Sequence, residues 1–126
     1  MFIIKKKVYV SDTDCTQALY FTTLLRFVQE AFEDVLREKY AKVAGLFVEG
    51  KLLMPIVATS AEFLAPIFIG SLLDIHLDVK WFNTSFEVKG EVFHEGLLKG
   101  RVSISHVCID KVSKKGLKSK ELFHDL

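Results

Sequence analysis

Hydrophobic and polar residues alternate at the start of the chain, and the period then changes. Ile4, Val8 and Val10 share one parity, with Lys5, Lys7 and Tyr9 on the other, which predicts a β-strand over residues 2–10. Residues 11–17 are polar and rich in the Ser, Thr and Asp that favour turns and helix N-termini. The chain therefore opens with a strand and a turn that leads into a helix.

A long amphipathic helix is predicted from about Tyr20 to Ala44. Its apolar residues recur every three or four positions and cover about half of the helical circumference. They are Phe21, Leu24, Leu25, Phe27, Val28, Ala31, Phe32, Val35 and Leu36. Such a wide apolar face suits a helix wrapped by a curved sheet better than one lying on a flat surface. We expect Gly45 and Gly50 to end the helix.

The rest of the chain is predicted to form strands separated by turn residues. The alternation indicates strands over residues 52–63, 73–81, 86–92 and 101–110. In the last strand the alternation slips between Ile104 and Val107, which predicts a bulge. Gly96 and Gly100 are expected to bracket the turn before it. The polar tail from Lys111 is expected to end in a loose turn.

The element order is one strand, one long helix and four further strands. A chain of 126 residues has room for one domain, residues 1–126. A single helix with a wide apolar face can be buried only by the sheet. The sequence therefore predicts an α+β fold in which a five-stranded antiparallel sheet curls around the helix.

Composition and charge exclude several classes of function. The chain has 17 Lys+Arg and 16 Asp+Glu, a net charge of +1 that argues against a nucleic-acid surface. No apolar run approaches the ~20 residues of a membrane span, and no secretory signal pattern is present. Cys15 and Cys108 have no disulfide or zinc spacing. We therefore expect a cytoplasmic protein.

Few residues offer a catalytic centre. Nucleotide-binding glycine patterns and a G-x-S-x-G elbow are absent. The four histidines lack the spacing of metal ligands, and only His106 stands out, because it lies inside an apolar strand. Cys15 precedes the helix without a histidine near it in sequence, so we interpret it as a small packing residue. No metal or redox cofactor is expected.

The carboxylates before the helix are the remaining candidates. Asp12 or Asp14 could cap the first N–H groups of the helix. Alternatively, those N–H groups could hold a developing oxyanion while a carboxylate attacks a carbonyl or activates water. The pattern alone favours capping and leaves catalysis open.

The same segment carries a family resemblance. Residues 10–21, VSDTDCTQALYF, resemble the D-x-D-x-x-G-x-x-Y-F signature of the 4-hydroxybenzoyl-CoA thioesterase family, and are most similar to its 1,4-dihydroxy-2-naphthoyl-CoA thioesterase members. The similarity continues in order through QEAFE at 29–33, FLAP at 63–66, TSF at 84–86 and SHVC at 105–108. The resemblance implies the hot-dog fold, which is the architecture that the alternation predicts. It also implies hydrolysis of an acyl-CoA or acyl-carrier-protein thioester.

The resemblance assigns roles to individual residues. The catalytic carboxylate falls on Asp14, as nucleophile or general base, and the backbone N–H that polarises the thioester carbonyl falls on Phe21. Gln17, Tyr20 and Ser85 fall beside the substrate. The acyl group is expected to enter beside the helix, between the subunits of a homodimer or of a dimer-of-dimers tetramer.

Lys89 and Arg101, together with the basic run 114–120, are candidates for binding the CoA phosphates. One departure from the family keeps an alternative open, because the family usually has Gly where this chain has Gln17. The alternative is a non-catalytic module that binds acyl thioesters. A hot-dog dehydratase ranks lower, since those enzymes use a histidine near the helix start and the first histidine here is His76.

Overall fold

The computed structural model describes residues 1–124. Seven strands lie in this part of the chain: β1 (Phe2–Lys7), β2 (Leu52–Leu53), β3 (Ile56–Phe63), β4 (Leu72–Trp81), β5 (Ser85–His94), β6 (Leu97–Val107) and β7 (Ile109–Asp110). The helices are α1 (Phe21–Lys39), α2 (Ala41–Val48) and α3 (Ser119–His124), and a 3₁₀ turn at Val10–Asp12 follows β1.

The large sheet has five strands in the order β1-β4-β5-β6-β3, and every neighbouring pair is antiparallel. Strands β2 and β7 form a separate two-stranded pair. The predicted α+β architecture, one long helix against a five-stranded antiparallel sheet, is confirmed. Within residues 1–124, no helix combines the length and the apolar character needed to cross a membrane.

Helix α1 packs against the concave face of the sheet. Its buried residues are Thr23, Leu24, Phe27, Val28, Ala31, Phe32, Val35 and Leu36, which nearly coincide with the predicted apolar face. Two glycines let the helix approach the strands. A Cβ atom at Gly90 would lie 2.7 Å from a Val28 methyl carbon, and one at Gly100 would lie 3.0 Å from a Leu24 methyl carbon. The prediction that Gly100 belongs to a turn is therefore wrong, because it lies inside β6 beneath the helix.

The predicted continuous helix is in fact two. Helix α1 ends at Lys39, Tyr40 leaves the helical region with φ −132° and ψ 51°, and α2 then runs through Gly45. The Tyr40 ring meets the Phe123 ring of α3 edge-on at 5.1 Å. The break between α1 and α2 thus allows the Tyr40 side chain to pack against α3. That helix also replaces the loose turn that was expected for the tail.

The bulge predicted in the last strand is wrong as well. Val102, Ile104, His106 and Cys108 are all buried at alternate positions, so the parity of the strand does not slip. His106 occupies a position where an apolar residue is usual. The irregularity lies on the partner strand β3, where the register shifts between Ile56 and Ala58 opposite this histidine.

Strand β3 forms one edge of the sheet and leaves apolar side chains in solvent. All eight of its residues are exposed, and the exposed large apolar side chains in and beside it are Ile56, Val57, Phe63 and Leu64. Glu62 is the only charged residue in the strand. The opposite edge, β1, has the sequence FIIKKK and carries lysines of the kind that protect exposed edges.

Candidate active site

The segment before α1 folds back on itself as a small hairpin. Thr13 bridges Leu19, the Asp14 N–H donates to the Ala18 carbonyl at 2.8 Å, and the Gln17 N–H donates to the Asp14 carbonyl at 3.1 Å. The hairpin is anchored to residues 67–69, since the Leu19 N–H donates to the Ile67 carbonyl at 2.7 Å and the Ile69 N–H to the Gln17 carbonyl at 3.1 Å. Asp14 is therefore held by a rigid turn rather than a free loop.

Asp14 is partly buried as a residue, and its exposed carboxylate is fixed through one oxygen. Its Oδ1 accepts the Thr16 backbone N–H at 2.7 Å and the Thr16 hydroxyl at 2.5 Å. In residues 1–124, no hydrogen bond ends on Oδ2, although the Ala18 backbone N–H also lies close enough to the carboxylate to help lower its pKa. The bonds from Thr16 hold the pKa of Asp14 below its usual value. At neutral pH the group is ionised, with one oriented oxygen left to react.

Asp12, unlike Asp14, has both carboxylate oxygens hydrogen-bonded within the protein. It is only 5% exposed, and its Oδ2 accepts the Tyr9 backbone N–H at 2.9 Å. Its Oδ1 accepts a hydrogen bond from Arg26 Nη2 at 2.7 Å, and Arg26 Nη1 also donates to Glu30 at 2.8 Å. Asp12 thus ties the segment before the helix to the first turns of α1.

Neither carboxylate caps α1, so the capping hypothesis is wrong for this helix. Tyr20 is the N-cap residue, and no side chain hydrogen-bonds there. The Thr23 N–H donates to the Tyr20 carbonyl at 3.1 Å, and the Phe21 and Thr22 N–H groups have no acceptor within residues 1–124. Free N–H groups at the positive end of a helix can hold a negative oxygen.

Gln17 adopts the left-handed backbone conformation, with φ 68°. It follows a tight turn in the position where such hairpins favour glycine. The Gly of the family signature would suit this position, since Gly reaches that region without strain. In this chain the backbone keeps the turn, and an exposed amide side chain is added to it.

Ser85 lies at the far end of the sheet from Asp14. The hairpin that carries Asp14 contacts the residues just before β4, whereas Ser85 follows the end of β4. A strand as long as β4 spans roughly 30 Å. One subunit therefore does not bring Ser85 to Asp14. Tyr20 and Phe21, by contrast, are next to the hairpin and exposed.

Lys89 and Arg101 line a groove of about 360 Å³ on the outer face of the sheet. Each is paired with a carboxylate at 3.5 Å, Lys89 with Glu87 and Arg101 with Glu91. The groove does not reach Asp14, so the contact of these two residues with CoA phosphates stays a prediction.

Two features of this segment were not predicted correctly. Cys15 is exposed, so the prediction that it is a packing residue is wrong. Thr16 was overlooked as the anchor of Asp14. The sequence did carry a signal for it, because an Asp two residues before a Thr is typical of a side-chain-to-backbone turn.

Comparison with known proteins places this chain in a family. No protein-family model matches the sequence. The chain is 33% identical over 118 residues to a 1,4-dihydroxy-2-naphthoyl-CoA hydrolase of Gloeothece citriformis, covering 90% of this chain and 82% of the relative. It is 37% identical over 103 residues to the enzyme of that name from Synechococcus sp. strain RCC307, covering 78% of this chain and 79% of the relative.

Solved structures agree on the fold. The 1,4-dihydroxy-2-naphthoyl-CoA thioesterase from Synechocystis superposes with a TM-score of 0.87 at 26% identity, over 99% of this chain and 96% of that one. The BH1999 gentisyl-coenzyme A thioesterase superposes with a TM-score of 0.83 at 17% identity, over 96% and 98% of the two chains, and supports the fold alone. The chain is thus an acyl-CoA thioesterase and belongs to the hot-dog family that includes the 1,4-dihydroxy-2-naphthoyl-CoA hydrolases.

Proposed function

We propose that Asp14 is the catalytic carboxylate of this thioesterase and that the Phe21 and Thr22 backbone N–H groups polarise the thioester carbonyl. The observation that carries the proposal is the free Oδ2 of a fixed, ionised Asp14 beside a helix start with free N–H groups. The names of the relatives make a fused-ring aromatic acyl-CoA the first substrate to test.

The chemistry can follow one of two routes. In the first, Asp14 Oδ2 attacks the thioester carbon, the carbonyl electrons move onto the oxygen held by the helix N–H groups, and the C–S bond breaks as CoA leaves as a thiolate. Water then cleaves the mixed anhydride to two carboxylates and two protons, one of which the thiolate takes. In the second, Asp14 accepts a proton from the water that attacks the carbonyl. Both routes consume one water and release acid and thiol.

The active unit we propose is a dimer joined along β3. Its unprotected, apolar edge strand can pair with a second copy and extend the sheet. Because a two-fold axis makes the paired strands antiparallel, the start of one β3 lies beside the end of the other. The Ser85 end of one sheet then lies beside the Asp14 end of the second subunit. This arrangement would place Ser85 and Asp14 at one site.

The test is thiol release from acyl-CoA by the Asp14→Asn variant. We expect kcat to fall by at least about a hundredfold, the usual loss for a removed base or nucleophile, with unchanged unfolding behaviour. The matched control is Asp74→Asn, which removes a carboxylate on the outer face of the sheet whose pKa is also lowered, there by Lys5 at 2.8 Å. Wild-type turnover in Asp14→Asn would contradict the proposal. Saturable binding without thiol release by the wild type would indicate a binding module instead.

Appearance of ¹⁸O in the Asp14 carboxylate after a single turnover in H₂¹⁸O would identify the nucleophilic route. If Asp14 is the nucleophile, cleavage of the anhydride can leave one ¹⁸O atom in its carboxylate. If Asp14 is a general base, all of the label enters the released acid. Mass spectrometry of the peptide that contains Asp14 measures the difference.

A further inference from the structure

Arg26 joins α1 to the chain just before the hairpin that carries Asp14. It lies in the second turn of the helix, and its Nη2 donates to Asp12 Oδ1 at 2.7 Å while its Nη1 donates to Glu30 at 2.8 Å. The guanidinium group also lies over the ring of Phe27, 5.4 Å from its centroid, and that ring is buried in the core. Two carboxylates and an aromatic face thus hold the group in one orientation.

Asp12 is the residue through which Arg26 contacts that chain. Its side chain is only 7% exposed, its Oδ2 accepts the Tyr9 N–H, and its backbone carbonyl accepts the Tyr20 N–H at 3.2 Å. A carboxylate with so little access to water depends on its cationic partner. Without Arg26, the Asp12 carboxylate would have to turn towards water, and the chain two residues before Asp14 would move with it.

The two halves of the proposed site lie on different segments. The Asp14 carboxylate belongs to the hairpin, whereas the free N–H groups begin α1. The hydrogen bonds to residues 67–69 hold the hairpin against the segment before β4 and not against the helix. Within residues 1–124, the pair of Arg26 with Asp12 is the only ion pair that joins residues 9–20 to α1. This pair therefore helps to set the position of the carboxylate relative to the helix start.

We propose that Arg26 is a positioning residue for thioester hydrolysis. By holding Asp12, it fixes the Asp14 carboxylate relative to the free N–H groups at the start of α1. The inference rests on the proposed function, and it concerns alignment, because Arg26 acts through Asp12 and not on the substrate. A lysine would supply the charge but not the planar fork that bonds two carboxylates here. Loss of Arg26 should therefore slow the chemical step more than it weakens substrate binding.

Arg26→Met tests this role, because it keeps an unbranched side chain over Phe27 and removes both hydrogen bonds. With 2-naphthoyl-CoA as the probe, we expect kcat to fall at least about tenfold and KM to change by less than about twofold, since a displacement of about 1 Å can cost on the order of a hundredfold in rate. Arg37→Met is the matched control, because Arg37 is an exposed arginine near the end of the same helix and its loss should change neither constant. A wild-type kcat in Arg26→Met would overturn the inference.

A double variant tests whether Arg26 acts through Asp12. Asp12→Asn should lower kcat by a similar factor. The combination of Asp12→Asn with Arg26→Met should be no slower than the slower single variant, because both changes break the same bond. Losses that multiply would show that Arg26 acts independently of Asp12 and would contradict the positioning role.

Arg26→Lys is the conservative variant, and it covers the case in which Arg26→Met does not fold. Lysine keeps a cation beside Asp12 but lacks the fork, so kcat should lie below that of the wild type and above that of Arg26→Met. Urea denaturation of each variant shows whether the assays report on folded protein. If only Arg26→Lys folds, a wild-type kcat in that variant would overturn the inference.

The outcomes distinguish this inference from the proposed function. A large loss of turnover in Asp14→Asn together with a wild-type kcat in Arg26→Met overturns only the role of Arg26. Wild-type turnover in Asp14→Asn overturns the proposed function instead. If the probe is not hydrolysed, the ¹³C resonance of the Asp14 carboxyl group tests the alignment without turnover. It should shift in Arg26→Met and stay unchanged in Arg37→Met, and no shift in either variant would overturn the inference.

Discussion

Thr16 donates two hydrogen bonds to a single carboxylate oxygen of Asp14, one from its backbone N–H at 2.7 Å and one from its hydroxyl at 2.5 Å. This pair of hydrogen bonds to one oxygen has two effects. It fixes the direction of the other oxygen, and it favours the charged form of the carboxyl group, which lowers its pKa. Thr16, a residue with no place in the family signature, thus fixes and ionises the carboxylate that we propose to be catalytic.

The first prediction concerns Thr16→Val, which keeps the backbone N–H bond and removes the hydroxyl. Loss of a bond to the charged form should raise the pKa of Asp14 towards its usual value. Activity that needs the ionised carboxylate falls as the pH drops through that pKa, so the acidic limb of the kcat profile should move to higher pH. Carboxyl ¹³C NMR titration of Asp14 gives the pKa directly. A Thr16→Ser variant, which restores the hydroxyl, should return the limb to its wild-type position.

The sequence was sufficient to predict the architecture, because the two-residue alternation of the strands and the 3.6-residue period of the long helix each extend over many residues. The alternation in β4 and the wide face of α1 each specify one partner surface, and the confirmed sheet follows from burying them together. Local rules failed where tertiary packing decided the outcome. Gly100 resembles a turn residue, but it is needed beneath Leu24. His106 broke the apolar pattern, although it occupies a regular inward position.

The site was predictable only in part, for a physical reason. Positions of Asp14 and Phe21 follow from their place between a strand and a helix. The hydrogen bond from Arg26 to Asp12 joins residues 14 positions apart. It depends on the angle at which the hairpin meets α1, which a local sequence pattern does not specify. In the proposed dimer the relation of Ser85 to Asp14 depends on a second subunit, and periodicity within one chain carries no information about it.

Asp12→Asn provides the second prediction. Asp12 is buried and bonded to Arg26 and to the Tyr9 N–H, so its neutral replacement should weaken both bonds. Because Arg26 is half-exposed, we expect a loss of about 1–3 kcal/mol in the free energy of unfolding, below the cost of breaking a fully buried pair. Urea denaturation measures this. Asp74→Asn is the control, and loss of its solvent-screened ion pair with Lys5 should change the free energy of unfolding very little. A loss no greater than that of the control would show that Asp12 does not anchor the hairpin.

The third prediction concerns the backbone at Gln17. Since Gln17 has a positive φ, Gln17→Gly should relieve strain and raise the free energy of unfolding by about 1 kcal/mol. Gln17→Ala is the matched control, because alanine also has a Cβ atom and should bring no such gain. If both variants are equally stable, the left-handed conformation costs this chain nothing.

The final prediction tests the dimer through its edge strand. Val57 is 60% exposed at the β3 bulge, and a two-fold axis along β3 would bring the two copies of this strand together. Val57→Lys should place positive charge from both subunits along one interface, which opposes edge pairing. We expect sedimentation to show a shift from dimer towards monomer, with thiol release falling in parallel because Ser85 and Asp14 of different subunits separate. Val112→Lys is the control, since Val112 is 92% exposed outside the sheet and the same change there should alter neither quantity. A fully active monomer of Val57→Lys would show that each subunit carries a complete site.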